Sequence, residues 1–372
     1  MTNKEKFLDY VKNGGERLIC SPQIGAGAGY DAKLMGKAFC SQATLTALKD
    51  IVARYPMLPL FNIGLDPTGH SKALGWTQDA RKNTPEEITI ASHLDTPFGT
   101  MRRRYIEHPR LGGFNVENAI NGVEDLDKLE YVIDKALAET DMSCFTDYAR
   151  EHAAFFGGDG ALSVQWCMQP YEMLGFPDTI TTVMLAMDDE PRFFALMDKI
   201  LALDFAILSA LSGTGVDFVF LGGPGSEIIS PAYYEKYLVP YSQQVTRYAH
   251  EQGFLIYSHI CSPIEPMLSR GYYNQMGIDL FETLSPRPEG NITSLADAFL
   301  KLDPAICTRG NVSLSLMSTG TPEQVRDAVF TIMDEAHAQR RKHIVAVSDY
   351  LLYSVPEENV YALCEAVEAY YR

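Results

Sequence analysis

The sequence predicts an α/β fold in which parallel strands are covered by helices. Three observations carry that expectation. From about residue 159 onward, short continuous apolar runs recur at 161–167, 217–221, 255–259, 280–284, 305–308 and 343–347. Amphipathic helical stretches separate them. Strands that are apolar throughout, rather than alternating, belong to sheets buried on both faces. No repeat, low-complexity tract or Pro/Gly/Ser linker interrupts the chain.

The elements follow in order. Residues 1–13 read as a helix, followed by a strand near 17–23. The spacing of Leu45, Leu48, Ile51 and Val52 predicts a helix over 41–55. Residues 57–121 are less regular, with a strand near 60. Residues 87–100 and 101–106 are expected to form a hairpin over the mouth of the sheet. Helices are expected at 123–139 and 144–156, then near 191–212, 231–252, 263–270, 294–302, 321–341 and 356–371. Ser230-Pro231 supplies an N-cap with proline at the first helical position, and Thr321-Pro322-Glu323-Gln324 a capping box. Six late strands and two early ones make eight. A closed barrel and an open doubly wound sheet would both show this local pattern.

At 372 residues and 46% hydrophobic, the chain can bury a large core, and it is expected to form one domain over 1–372. The formal charge of −17 argues against nucleic acid or an anionic membrane as partner. Charges run through residues 1–20 and no stretch of about 18 apolar residues occurs. The seven cysteines (Cys20, Cys40, Cys144, Cys167, Cys261, Cys307 and Cys364) are odd in number and widely spaced. The expectation is a cytoplasmic protein with reduced thiols. Its oligomeric state stays open, a homodimer included.

Four segments carry potential chemistry. The strand 255–259 ends in His259-Ile260-Cys261. Side chains two apart on a strand point the same way, so imidazole and thiol would converge at its C-terminal end, where parallel α/β folds bind ligands. Both groups are zinc ligands. A hydrogen-bonded histidine beside a packed cysteine fits the spacing equally well. The glycine-rich stretch from Leu221 to Glu227 would let a ligand approach the backbone and offers Glu227, which could also be a solvated loop acid. The strand 343–347 leads to Asp349, a possible metal ligand or turn cap. Arg102, Arg103 and Arg104 follow Thr96-Pro97-Phe98-Gly99-Thr100 and could meet an acidic substrate or simply face solvent. Gly27-Ala28-Gly29-Tyr30-Asp31-Ala32 mimics a dinucleotide fingerprint, but the acid about 20 residues on, Asp50, lies in a helical pattern. The Rossmann reading fails.

A series of short motifs recurs in order: Ser230-Pro231, Pro240-Tyr241, His259-Ile260-Cys261, Gly310-Asn311-Val312, Gly320 to Val325, and Pro356 to Val360. Weaker ones precede them at Lys4 to Leu8, Thr96 to Gly99 and Asn121 to Leu126. In this series the chain resembles the uroporphyrinogen decarboxylase superfamily, which includes cobalamin-dependent methyltransferases. The resemblance implies a (β/α)₈ TIM barrel with an N-terminal helical extension, residues 1–60 holding that extension and the first strand. Porphyrinogen decarboxylases open with an arginine-rich Met-Arg-Gln-Ala-Gly-Arg segment. The stretch Cys20-Ser21-Pro22-Gln23 and the glycines after it contain no arginine. The methyltransferase branch is therefore the nearer one.

That branch carries a zinc site of the form His-x-Cys plus a distant Cys. Here His259 and Cys261 match, and Asp349 stands where the distant Cys would fall, with Cys307 as a fallback thiol. The resemblance implies one Zn²⁺ per chain and an open coordination position. Glu227 is implied as a fourth ligand, a substrate contact or, with Asp349, a catalytic group. Tyr257, Tyr350 and Arg102 are implied as substrate contacts. No cobalamin-binding D-x-H-x-x-G motif occurs, so the corrinoid would come on a separate partner protein. The expected activity moves methyl between a small methylated substrate, such as an O-methyl compound, and that corrinoid or a thiol acceptor. The alternatives are a metal-independent decarboxylase of an acidic small molecule using Arg102, Arg103, Arg104 and Asp349, and a non-catalytic barrel subunit of a corrinoid system.

Overall fold

The computed structural model of the chain describes residues 1–24, 30–39, 45–65, 74–165 and 178–372. Its strands, in chain order, are β1 (Ile19–Cys20), β2 (Leu60–Gly64), β3 (Thr77–Asn83), β4 (Ile88–Thr96), β5 (Gly99–His108), β6 (Gly112–Glu117), β7 (Ala161–Gln165), β8 (Phe218–Gly222), β9 (Leu255–His259), β10 (Leu280–Thr283), β11 (Cys307–Val312) and β12 (His343–Val347). Eight form one parallel sheet in the order β1-β12-β11-β10-β9-β8-β7-β2. Each barrel strand thus lies beside its successor, and Leu58 N–H donates to the Cys20 carbonyl at 2.9 Å, linking the two ends. This curled sheet with its helices is the (β/α)₈ barrel-type fold expected.

Helix α1 (Asn3–Asn13) closes the N-terminal end of the barrel. A capping box starts it: Glu5 N–H donates to Thr2 Oγ1 and Thr2 N–H to Glu5 Oε2. Phe7, Tyr10 and Val11 form its buried stripe. Phe7 meets Phe218 edge-to-face at 6.0 Å, Lys4 pairs with Asp217 at 2.9 Å, and Tyr10 donates to the His343 carbonyl at 2.9 Å. Truncating a fully buried phenylalanine of this kind costs about 3–5 kcal/mol. With this end sealed, the strand C-terminal ends are left for chemistry.

Most barrel elements fall where expected, β9 and β12 with the same bounds. The expected helix over 231–252 contains a π-helical turn at Tyr234–Leu238. Pro240 follows it and has no N–H for the Lys236 carbonyl, which widens the turn. β11 continues past the apolar run to Val312. Gly310 there has φ +138°, and an added Cβ would fall 2.4 Å from the Thr283 carbonyl oxygen, so the close approach of β10 requires glycine. Among the described residues three α-helices went unread, Tyr30–Leu34, Thr179–Asp188 and Leu314–Thr319. The helix Thr179–Asp188 opens Thr-Ile-Thr-Thr-Val, a β-branched run of low helix propensity, but Asp178 caps it through Thr181 N–H.

Between β2 and β7 lies a separate antiparallel sheet, β3-β4-β5-β6. The expected hairpin is its centre. It turns at Pro97-Phe98, with Thr96 opposite Gly99, rather than after Thr100. β3 is exposed along its whole length and has no apolar alternation, hence its absence from the sequence reading.

Candidate metal centre

β9 carries the site. His259 is its last residue and is in register with Gly222 of β8 and Glu282 of β10; Glu282 in turn is in register with Arg309 of β11. One row of the barrel therefore reads Gly222, His259, Glu282, Arg309. Glu282 and Arg309 are 2% and 0% exposed, a depth at which charges must be paired. They are: Arg309 donates from its NH1 to Glu282 Oε2 at 2.9 Å and from Nε and NH2 to the Ser21 carbonyl at 2.8 and 2.6 Å.

The other oxygen of Glu282 lies 2.6 Å from His259 Nδ1. A carboxylate only accepts, so Nδ1 carries a proton, and Nε2 is the nitrogen that could ligate a metal on giving up its own. Nε2 lies 3.4 Å from Asp349 Oδ1. His259, Cys261 and Asp349 each bring one ligand atom to within 4.8 Å of the others. Two ligands about 2.0–2.3 Å from a tetrahedral zinc lie roughly 3.3–3.8 Å apart, so the histidine–aspartate edge already fits and modest contraction would close the rest. A thiolate and a carboxylate would neutralise a dication. The donor set, with a second-shell carboxylate on the histidine, suits zinc.

Electrostatics agree. Burial would push the His259 pKa down, but Tyr350 and the ring's hydrogen bonds to Asp349, Cys261 and Glu282 outweigh it and hold it well above its ordinary value. The pocket attracts positive charge. Tyr350 stacks on His259, ring centroids 4.8 Å apart, and burial first of all pushes its phenol up to about 12.

The remaining predicted residues lie apart from this group. Glu227 is exposed and folds back over Gly225, where an added Cβ would fall 2.0 Å from its Oε2. It is not among the gathered ligands. Cys307 is fully buried, its thiol pushed up to about 12 by burial against three nearby cations, and also lies outside the group. Tyr257 is buried below His259, its hydroxyl donating to Glu282 and accepting from Gln23. Its hydroxyl is thereby committed within the protein. Arg102 is exposed on β5, opposite His93 of the inserted sheet. Among the described residues it shares no hydrogen bond or ion pair with the metal group. Sequence reasoning missed Glu282 and Arg309, although Glu282, a charged residue inside the apolar run 280–284, was a usable signal.

Among the described residues no helix is long and apolar enough to cross a membrane. The sequence profile of the family described as uroporphyrinogen decarboxylase (URO-D) matches residues 170–370. The uroporphyrinogen decarboxylase of Prochlorococcus marinus (strain NATL2A) is 26% identical over 214 residues, which span 56% of each protein. That of Geobacter metallireducens is 25% identical over 193 residues, 51% of this chain and 52% of the relative. The match thus spans about half the length of these curated relatives. A methyltransferase from Methanosarcina mazei superposes with a TM-score of 0.67 over 100% of both chains at 14% identity, which shows a common fold. With the family's profile matched over more than half of its length, the chain belongs to the uroporphyrinogen decarboxylase family.

Proposed function

We propose that the chain is a zinc-dependent methyltransferase that moves a methyl group between a small methylated substrate and a corrinoid carried by a separate protein, or a thiol acceptor. The observation that carries this reading is the gathering of His259, Cys261 and Asp349 within 4.8 Å while Glu282 holds the second ring nitrogen of the histidine. When bound, zinc would supply Lewis acidity at the heteroatom that holds the methyl group, or activate a thiol. The protein's own part is to hold the ligands. Glu282 fixes the His259 tautomer, Arg309 neutralises Glu282, and Tyr350 holds the imidazole ring in plane. Glu227, outside the three-ligand group, is left as a substrate contact, and the fourth position stays open to substrate.

The test is methyl transfer by the zinc-loaded chain with free cobalamin, in both directions: from 2-methoxyphenol to the reduced cobalamin, and from methylcobalamin to a thiol. The cobalt absorbance reads both. Transfer that His259→Ala and Cys261→Ala abolish supports the proposal. Transfer unchanged in those variants, or none in either direction, contradicts it. The curated relatives favour a second reading, decarboxylation of a small acid, which predicts CO₂ release independent of metal. Arg309 is already engaged, and Arg102 and Arg104 are exposed on the inserted sheet, so this reading lacks a cation shown at the barrel row.

A further inference from the structure

Two sides of the barrel interior differ. Around β8 to β11 every buried polar group of the central row is paired. Around β1, β2 and β7 they are not. Gln165 reaches across the barrel to donate to the Tyr350 hydroxyl, so it faces the interior. Ser163, two residues earlier, faces the same way, and so does its register partner Asn62; Gly64 is the partner of Gln165. Gln23 enters from beyond β1, its Nε2 turned to Glu282 and the Tyr257 hydroxyl. That contact fixes the amide, because a carboxylate cannot face the amide oxygen. Gln23 Oε1 therefore points away from Glu282.

Among the described residues, Gln23 Oε1, Asn62 Oδ1 and Ser163 Oγ are buried with no hydrogen-bond partner. Gln23 and Ser163 are 4% and 0% exposed. Each buried acceptor left unpaired costs about 1–3 kcal/mol. Beside them is room: a Cβ added at Gly64 would meet no described atom within 4 Å. At the same level β8 and β9 present the rings of Phe220 and Tyr257, 5.5 Å apart.

We infer that the wall formed by Gln23, Asn62, Gly64 and Ser163 receives the non-reacting end of the substrate, and that this end carries a hydrogen-bond donor, a hydroxyl or an amide N–H, rather than a carboxylate. The inference rests on the metal-centre reading above for where the reacting end sits. Two amide oxygens accept and do not donate. A carboxylate brought against them would add a third acceptor beside the Glu282 charge, whereas a donor satisfies them. Asn62 and Ser163 lie about 6.6 Å, two residues of strand, below the Gly64 level, so the wall reaches a small aromatic or aliphatic molecule held at the mouth.

The test is a binding series by calorimetry on the zinc-loaded full chain: 2-methoxyphenol and 2-methoxybenzamide, with methoxybenzene and 2-methoxybenzoate as their matched controls. The donor-bearing pair should bind about tenfold or more tighter than either control. Asn62→Leu should erase that preference, and Gly64→Leu should weaken all four, with unfolding temperature retained in both. Equal binding across the series, tightest binding by the benzoate, no binding at millimolar concentration, or a preference that survives both variants would overturn the inference. Zinc content of the same samples reads the metal proposal separately. Full zinc with no donor preference defeats only the inference; donor preference without zinc defeats only the metal proposal.

Discussion

The register row of His259, Glu282 and Arg309 and the wall from β2 to β7 use buried polar groups in opposite ways. In the first, an imidazole, a carboxylate and a guanidinium lie in one register row and satisfy one another. In the second, small polar side chains sit at comparable depth with acceptors unpaired among the described residues. A charge buried without its partner is far costlier than a lone amide oxygen. The first arrangement is therefore rigid, as the proposed metal ligands require. The second retains unspent hydrogen-bonding capacity, which suits a surface completed by a ligand.

The sharpest way to break this contrast is to delete one group from each wall. Glu282→Ala should lose about 3–5 kcal/mol of stability in urea unfolding, because it strands the buried Arg309 charge. Ser163→Ala should stay within about 1 kcal/mol or gain slightly, since it removes a hydroxyl with no partner. Equal losses would erase the distinction. Zinc affinity is the next handle. Glu282→Gln keeps an acceptor for Nδ1 but not the charge, and should weaken zinc binding about 10–100-fold in competition with a chromophoric chelator. Asn62→Leu should leave zinc affinity unchanged.

Acid sensitivity gives a third test. His343, at the start of β12, is pushed down to about 3 from 6.5 by burial, with the Gly310 carbonyl opposing. The unfolded chain therefore takes up this proton first. Stability from the neutral imidazole is complete above about pH 6.5 and falls as pH drops toward 3, by about 2 kcal/mol at pH 5. His343→Gln should flatten that part of the stability–pH curve. Smallest of all, Arg102→Ala should change stability by no more than about 0.5 kcal/mol and leave zinc content alone.

The barrel was legible because its strands are apolar throughout and its helices carry caps, as at Thr321 and Ser230. Legibility failed where polar residues serve the interior. The run at β11 seemed to end before Arg309, yet the strand continues because Arg309 and Asn311 find partners inside, at Ser21, Glu282 and Leu284. Polar β3 was missed for the opposite reason, its side chains facing solvent. The triple His259, Cys261 and Asp349 came from a strand-end pattern combined with a family resemblance. Glu282 and the unpaired wall depend on register between distant segments, which periodicity does not encode.

The most direct measurement of the central claim is zinc stoichiometry by mass spectrometry in the purified wild type, in folded His259→Ala, Cys261→Ala and Asp349→Ala variants, and in Cys307→Ala as control. The account predicts about one zinc per chain in the wild type and the control, lost in the other three. A wild type that binds no zinc when offered the metal, or variants that keep it, would contradict the account.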